Sequence, residues 1–150
     1  MSWDIAVWHT ETELTDEEAA SLYEALCNKD TSGVTASPGI DAFYAELTAL
    51  HPEPDNIAEE KIDDHDLCPW SYGFDRSPAH LLMTCMTSKA EDVLDLVLKL
   101  AKKHDVAVYD PQSKIVINPD DNIGLPKERE TVPGGEGFWG RMRRVIWSGW

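Results

Sequence analysis

One strongly amphipathic segment between two short apolar runs constrains this chain more than any other feature. The segment is SKAEDVLDLVLKLAKKH, residues 88–104, and its apolar side chains recur at helical spacing. Ser88 and Glu91 have the spacing of a capping box at its start. The runs on either side, HLLMTCM (80–86) and VAVYD (106–110), have the composition of strands. The sequence therefore predicts a helix that connects two strands.

A first strand and two further helices follow from local patterns. SWDIAVW (2–8) alternates as a strand does when its second face is also partly covered. Thr15 and Glu18 have the spacing of a capping box at the start of a helix. Ser37 and Pro38 suit the start of another, because proline lacks the N–H group that a first turn leaves unpaired. We therefore expect a strand and two helices before the central strands.

Two hairpins complete the predicted fold. WSYGFD (70–75) and the run at 80–86 flank a turn at RSP, and residues 106–118 contain two strand-like runs about a turn at Asp110 and Pro111. The resulting order is βαββαβ with one inserted helix. The simplest topology with this order is an α+β, ferredoxin-like sandwich, an antiparallel sheet with helices on one face. Because many unrelated activities share that fold, it indicates little about function.

The predicted domain ends well before the last residue. A chain of 150 residues buries enough surface for one core, and we assign residues 1–118 to a single α+β domain. Residues 119–136 are polar and interrupted by Pro and Gly, which is typical of a linker. Residues 137–150, GFWGRMRRVIWSGW, contain three arginines, three tryptophans and no acid. We expect this basic, Trp-rich tail to pack on the domain, to cross to a second copy in a homodimer, or to bind a partner.

The negative charge lies almost entirely in the first half of the chain. Residues 1–66 contain 17 Asp or Glu and two Lys, a net charge of −15, whereas residues 67–150 contain 11 acids and 11 bases. A field of this sign repels nucleic acid and anionic membranes and accelerates encounter with a basic protein. We therefore expect a basic protein partner, no nucleic acid and no membrane. The alternative is a face that only keeps the protein in solution.

No local motif indicates catalysis, a cofactor or a metal. The stretch PGGEG (133–137) follows no strand and lacks the lysine of a phosphate-binding loop. His65 and Cys68 are one pair of metal-ligand types without a second pair at compatible spacing. Three widely spaced cysteines suit reduced thiols, and the first residues lack the pattern of a secretory signal. We expect a cytoplasmic protein that is not an enzyme.

Aromatic residues fall on more than one face of the predicted sheet. If the helices cover one face, the other needs cover from the tail or from a partner. A second hypothesis is therefore an enzyme or small-ligand sensor with a pocket between sheet and tail, lined by Trp8, Trp70 and Tyr109. A third is a structural homodimer whose tails exchange.

The opening SWDIAVW and the later turn YDPQ (109–112) together resemble a small, poorly characterised bacterial family. Its members begin with an S-W/Y-D-x-A-V-W strand and end on a Y-D-P-Q turn, and no activity is established for them. Small acidic α+β proteins of this kind are also similar to immunity proteins, which bind and block a bacterial toxin. That analogy, the charge and the absence of a catalytic motif make an immunity protein against a basic toxin, such as a nuclease, the leading hypothesis.

The loop at 52–66, PEPDNIAEEKIDDHD, is the predicted contact surface, and we call it the acidic segment. It contains seven acids, one lysine and only two isoleucines, too few apolar groups to offset the entropy of ordering it firmly. We therefore expect a mobile, exposed loop. The predicted contact residues are Glu59, Glu60, Asp63, Asp64 and Asp66.

Overall fold

A five-stranded antiparallel sheet and three α-helices make up the described part of the chain, residues 2–120 of a computed structural model. The α+β class is therefore confirmed. The tail at 137–150 and the linker from residue 121 onward lie outside the described residues, and with them every expectation about the tail. Residues up to Pro119 belong to one compact unit.

The sheet is built around the first strand of the chain. The strands are β1 Ser2–Trp8, β2 Asp75–Ser77, β3 His80–Met86, β4 Ala107–Asp110 and β5 Ile115–Ile117. Their order across the sheet is β2-β3-β1-β4-β5, and every neighbouring pair is antiparallel. The predicted hairpin at the end of the domain is confirmed, with Lys114 N donating to Asp110 O at 2.8 Å across its turn.

The first two helices begin where the local sequence favours a start. α1 spans Asp16–Cys27, and Thr15 Oγ1 accepts from Glu18 N at 3.1 Å while Glu18 Oε1 accepts from Thr15 N at 2.9 Å. α2 spans Pro38–Leu50 and is capped by the Ser37 hydroxyl. Both predicted starts are confirmed. Within residues 2–120 no helix has the length and apolar character needed to cross a membrane.

The third helix, α3, spans Ala90–His104 and begins differently from the prediction. The chain leaves β3 through a 3-10 turn at Thr87–Lys89, and this turn takes in Ser88. Lys89 is then the N-cap residue and makes no side-chain capping bond, so the prediction that Ser88 is the N-cap of this helix is wrong. The apolar stripe of the helix is buried as its spacing indicates.

β1 buries side chains on both of its faces. Trp3, Ile5 and Val7 lie on one face, and Ala6 and Trp8 lie on the other. Ala6 and Trp8 belong to a cluster with side chains of α1, β4 and β5, so α1 covers their face, which we call the α1 face. α2 packs on α3, and α3 contacts β1, β3 and β4. Since α1 occupies the first face, α2 and α3 cover the opposite face.

The prediction of helices on one face only is therefore wrong. Trp8 and its neighbour Tyr109 on β4 present large apolar surfaces whose exposure to water would be costly. Leu22 and Leu26 of α1 cover them. The start of α1 is also fastened to the sheet edge, because Asp16 Oδ1 accepts from Val116 N at 2.9 Å. The face that we expected the tail or a partner to cover is covered by α1.

The predicted strand at 70–75 is wrong over most of its length. Trp70 forms a single β-bridge with Cys85, and the chain then leaves the sheet until β2 begins. The backbone N–H of Phe74 is satisfied instead by Glu53 Oε1 at 2.8 Å, so the segment needs no strand partner there. Residues 72–74 consequently form a loop outside the sheet, which we call the 72–74 loop. The hairpin turn lies at residues 78–79, between β2 and β3, rather than at RSP.

Candidate functional site

The acidic segment projects from the domain between two points that are tied together. It starts after α2 and contains two short 3-10 turns. At its base, His51 Nδ1 lies 3.0 Å from Leu67 O, and Trp70 Nε1 donates to His51 O at 2.8 Å. These contacts join the residues that precede and follow the segment. Both ends of the acidic segment are therefore held against the domain.

The five predicted contact residues are all exposed: Glu59, Glu60, Asp63, Asp64 and Asp66. Two of them also have partners within the domain. Asp64 Oδ1 accepts from Leu67 N at 3.3 Å, and a hydrogen bond from Lys89 lowers the pKa of the Asp66 carboxyl. Within residues 2–120, Glu59, Glu60 and Asp63 make no comparable side-chain contact. Their charge is the part of the segment most available to another molecule.

An exposed aromatic side chain, which sequence reasoning missed, lies beside this segment. Tyr72 in the 72–74 loop is 60% exposed, the largest exposed fraction among the large apolar side chains of the described residues. A Cβ placed on its neighbour Gly73 would lie 3.5 Å from Glu53 Oε1 and 3.9 Å from Asp55 Oδ2. The loop that carries Tyr72 therefore adjoins the first acids of the segment. The glycine after Tyr72 was the available sign that this run is not a regular strand.

The guanidinium group of Arg76 packs on a tyrosine ring that is hydrogen-bonded to the acidic segment. Arg76 Cζ lies 3.9 Å from the centre of the Tyr44 ring, and the Tyr44 hydroxyl donates to Glu53 Oε2. Tyr44 and Trp70 also meet the Phe74 ring edge to face, with ring centres 6.0 and 4.7 Å apart. This combination of ring face and carboxylate is one that binds arginine or lysine well. In this structure the chain's own arginine occupies the Tyr44 ring face, and Tyr44 and Phe74 occupy the Glu53 carboxylate.

The three residues of the predicted pocket do not come together. Trp8 and Tyr109 stack on the α1 face with ring centres 5.5 Å apart, and both are almost completely buried. Trp70 pairs with Cys85, which is opposite Trp3, so its ring lies on the other face of the sheet. Residues 2–120 therefore do not form a pocket lined by all three. Trp8 and Tyr109 are part of the core that holds α1 to the sheet.

The two segments that carry the family resemblance are neighbours in the structure. Gln112 Nε2 donates to Asp4 O at 2.9 Å, and Gln112 Oε1 accepts from Asp4 N at 2.6 Å. The side-chain amide thus extends the backbone pairing of β1 beyond the end of β4. Asp110 begins the same turn and accepts from Gln112 N at 2.9 Å and from the Ser113 hydroxyl at 2.9 Å. These contacts give the YDPQ turn a structural role at the start of β1.

The hairpin of β2 and β3 contains a serine, a histidine and an aspartate that resemble a catalytic triad. Ser77 Oγ lies 2.6 Å from His80 Nδ1, and His80 Nε2 lies 3.9 Å from Asp75 Oδ1. Ser77 Oγ also accepts from Ala79 N at 3.0 Å, as a serine does within a tight turn. The distance to Asp75 is too long for a hydrogen bond. This geometry closes the hairpin and lacks the oriented base of a working triad.

The cysteines and metal-ligand types do not assemble into a site. Cys27, Cys68 and Cys85 form no disulfide with one another. Burial raises the pKa of the Cys85 thiol to about 12 and also raises that of Cys68, so both are weak nucleophiles. Among residues 2–120, no group of three or more His, Cys, Asp or Glu could hold a metal ion.

Comparison with known proteins finds no match for the chain. No family model, curated protein or solved structure matches it. Its function must therefore be inferred from its own side chains and their geometry.

Proposed function

We propose that this protein binds and neutralises a basic protein, as an immunity protein does for a toxin such as a nuclease. The observation that carries the proposal is the surface formed by the acidic segment, with five exposed carboxylates between residues 59 and 66. Such a surface can occupy the cationic groove in which a nuclease holds phosphate. The uneven charge of the sequence supports the same conclusion, because a field of this size steers a basic partner toward the first half of the chain.

Tyr72 adds a second feature typical of a protein interface. Charges at the rim of an interface mainly govern the association rate, whereas buried aromatic anchors provide much of the binding energy. Tyr72 is exposed in the free protein and adjoins the acidic segment through Glu53 and Asp55. We propose that it is the anchor of the interface and that Glu59, Glu60 and Asp63 steer the encounter.

The experiment uses the full chain and the basic protein encoded beside its gene. The test variant replaces Glu59, Glu60 and Asp63 with lysine. The matched control replaces Glu11, Glu13 and Glu17, which are also exposed, and changes the net charge equally at another place on the surface. We expect the test variant to associate about tenfold or more slowly at low salt, with a much smaller effect of the control.

Two outcomes would count against the proposal. Equal association rates for the two variants would show that only the overall charge matters and would remove the acidic segment from the interface. The toxin assignment would fail if no neighbouring gene encodes a basic protein, or if binding leaves the neighbour's activity intact. The salt dependence provides an internal check, because a steered association slows as salt rises.

The finer fold assignment is also a proposal. The strand order β2-β3-β1-β4 and the pairing of α2 with α3 on one face support a ferredoxin-like core made of β1, α2, β2, β3, α3 and β4. On this assignment α1 is the inserted helix and β5 is an added edge strand. Residues 2–8 and 109–112, which carry the resemblance to the poorly characterised bacterial family, are in contact through Gln112 and Asp4. We also propose a cytoplasmic location, which suits the three free cysteines.

A further inference from the structure

His80 is a buried histidine with one unpartnered nitrogen. It is 3% exposed and lies opposite Trp8 at the start of β3. Ser77 Oγ accepts from Ala79 N at 3.0 Å and lies 2.6 Å from His80 Nδ1, to which its hydroxyl hydrogen can donate. In the tautomer that accepts this hydrogen bond, the neutral ring carries its own hydrogen on Nε2. Among the described residues Nε2 has no hydrogen-bond partner, which is costly for a buried donor.

His80 Nε2 faces the carboxylate of Asp75, which already forms an ion pair with Lys29. Asp75 Oδ1 lies 3.9 Å from His80 Nε2, while Asp75 Oδ2 pairs with Lys29 Nζ at 3.0 Å. Lys29 follows α1, and Asp75 begins the edge strand β2. The ion pair of Lys29 and Asp75 thus joins the end of α1 to the edge of the sheet.

We propose that His80, Asp75 and Lys29 form an acid-sensitive switch, in which protonation of His80 draws Asp75 away from Lys29 and breaks the ion pair between the residues that follow α1 and the start of β2. Acid would then exchange the partner of Asp75 from Lys29 to His80, while the protein with a neutral His80 keeps the ion pair seen here. The inference is independent of any partner of the acidic segment.

The physical reason for the exchange is the difference in burial between the two cations. A protonated His80 would be a buried charge that needs a close counter-ion. Asp75 Oδ1 needs to move only about 1 Å to reach hydrogen-bonding distance from Nε2. Lys29 has a side chain that is 75% exposed, so water can replace its carboxylate at little cost. The Asp75 carboxylate therefore stabilises a buried imidazolium more than it stabilises the exposed lysine.

The charges around the ring set the direction of the pH effect. Burial lowers the pKa of His80, Asp75 raises it and Lys29 lowers it further. From β1 the neighbouring side chain is the uncharged Trp8, and His9 is the next titratable group along that strand. With a folded-state pKa below the ordinary value of about 6.5, neutral His80 contributes stability above that pH. The contribution is lost as pH falls toward the folded-state pKa.

The test is an NMR titration of the full chain that follows the His80 ring and the Asp75 carboxyl carbon. We expect His80 to titrate below the ordinary histidine range, and the Asp75 resonance to shift again with the His80 midpoint. Lys29→Met should move the His80 midpoint upward, since it removes a positive charge and frees the carboxylate. Asp75→Asn should move it downward. His65→Gln, at an exposed histidine in the acidic segment, is the control and should change neither signal.

Three results would overturn the proposal. The first is an ordinary or raised His80 midpoint in the unmodified protein. The second is a His80 midpoint that does not change in Lys29→Met, and the third is an Asp75 resonance that does not respond to His80. Because Lys29 is exposed, its variant is expected to fold, so the test does not depend on a substitution at the buried histidine.

Discussion

Two regions of the molecule carry aromatic residues that behave in opposite ways. On the α1 face, Trp8 and Tyr109 stack against each other and are buried under α1. Tyr72 lies outside the sheet in the 72–74 loop and is mostly exposed next to the acidic segment. All three occur in runs with a strand-like sequence. Their different surroundings separate residues that hold the fold from residues available for binding.

This difference indicates which residues can be substituted without unfolding the protein. Buried aromatic residues contribute to stability through the area that they remove from water and through close packing. An exposed tyrosine contributes little to stability, because its ring stays in contact with water. The acidic segment resembles Tyr72 in this respect. Its carboxylates face water, while its ends are held at His51 and Trp70.

The largest expected effect tests this contrast directly. Trp8→Ala should lower the free energy of unfolding by about 3–5 kcal/mol, because it leaves a cavity beneath α1. Tyr72→Ala should change it by less than about 0.5 kcal/mol and should instead speed dissociation of a bound basic partner. Urea denaturation and dissociation kinetics measure the two effects. Similar unfolding free energies for both variants would break the comparison, and Trp8→Phe provides a milder test if Trp8→Ala does not fold.

A smaller effect is expected where the YDPQ turn meets β1. Gln112→Ala removes the two hydrogen bonds to the Asp4 backbone and should cost about 0.5–1.5 kcal/mol per bond at most, since the side chain is exposed. Hydrogen exchange at the Asp4 amide should accelerate. Ser113→Ala, which removes one bond to Asp110, is the control and should leave the Asp4 amide unchanged. Unchanged exchange in Gln112→Ala would refute the link.

The smallest effect concerns the end of the acidic segment. Lys89→Met should return the pKa of the Asp66 carboxyl toward its ordinary value, because the hydrogen bond from Lys89 is the main cause of its lowering. A lowered carboxyl pKa stabilises the fold above the unfolded-state pKa, and the effect disappears as pH falls through the folded-state value. Since the pair is at the surface, the melting temperature should not change measurably. Carboxyl NMR with Lys99→Met as the control checks both statements.

Features encoded by neighbouring residues could be predicted from the sequence. The capping box of Thr15 and Glu18 and the start of α2 at Pro38 depend on groups only a few positions apart, and both predictions are confirmed. The hairpin of β4 and β5 is local in the same sense. The exposure of the five acids also follows from composition, because charged side chains are rarely buried without partners. In each case the deciding interaction lies within a few residues or with water.

Contacts between distant parts of the chain could be determined only from the tertiary structure. Periodicity marked both faces of β1 as apolar, but only packing could assign α1 to one face and α2 with α3 to the other. The 72–74 loop leaves the sheet because Glu53, far back in the chain, satisfies the Phe74 amide. Gln112 reaches Asp4 across 108 positions, and His80 becomes buried beside a carboxylate that Lys29 holds. The spacing of neighbouring residues does not predict such distant pairings, since they depend on how the chain closes its loops around one core.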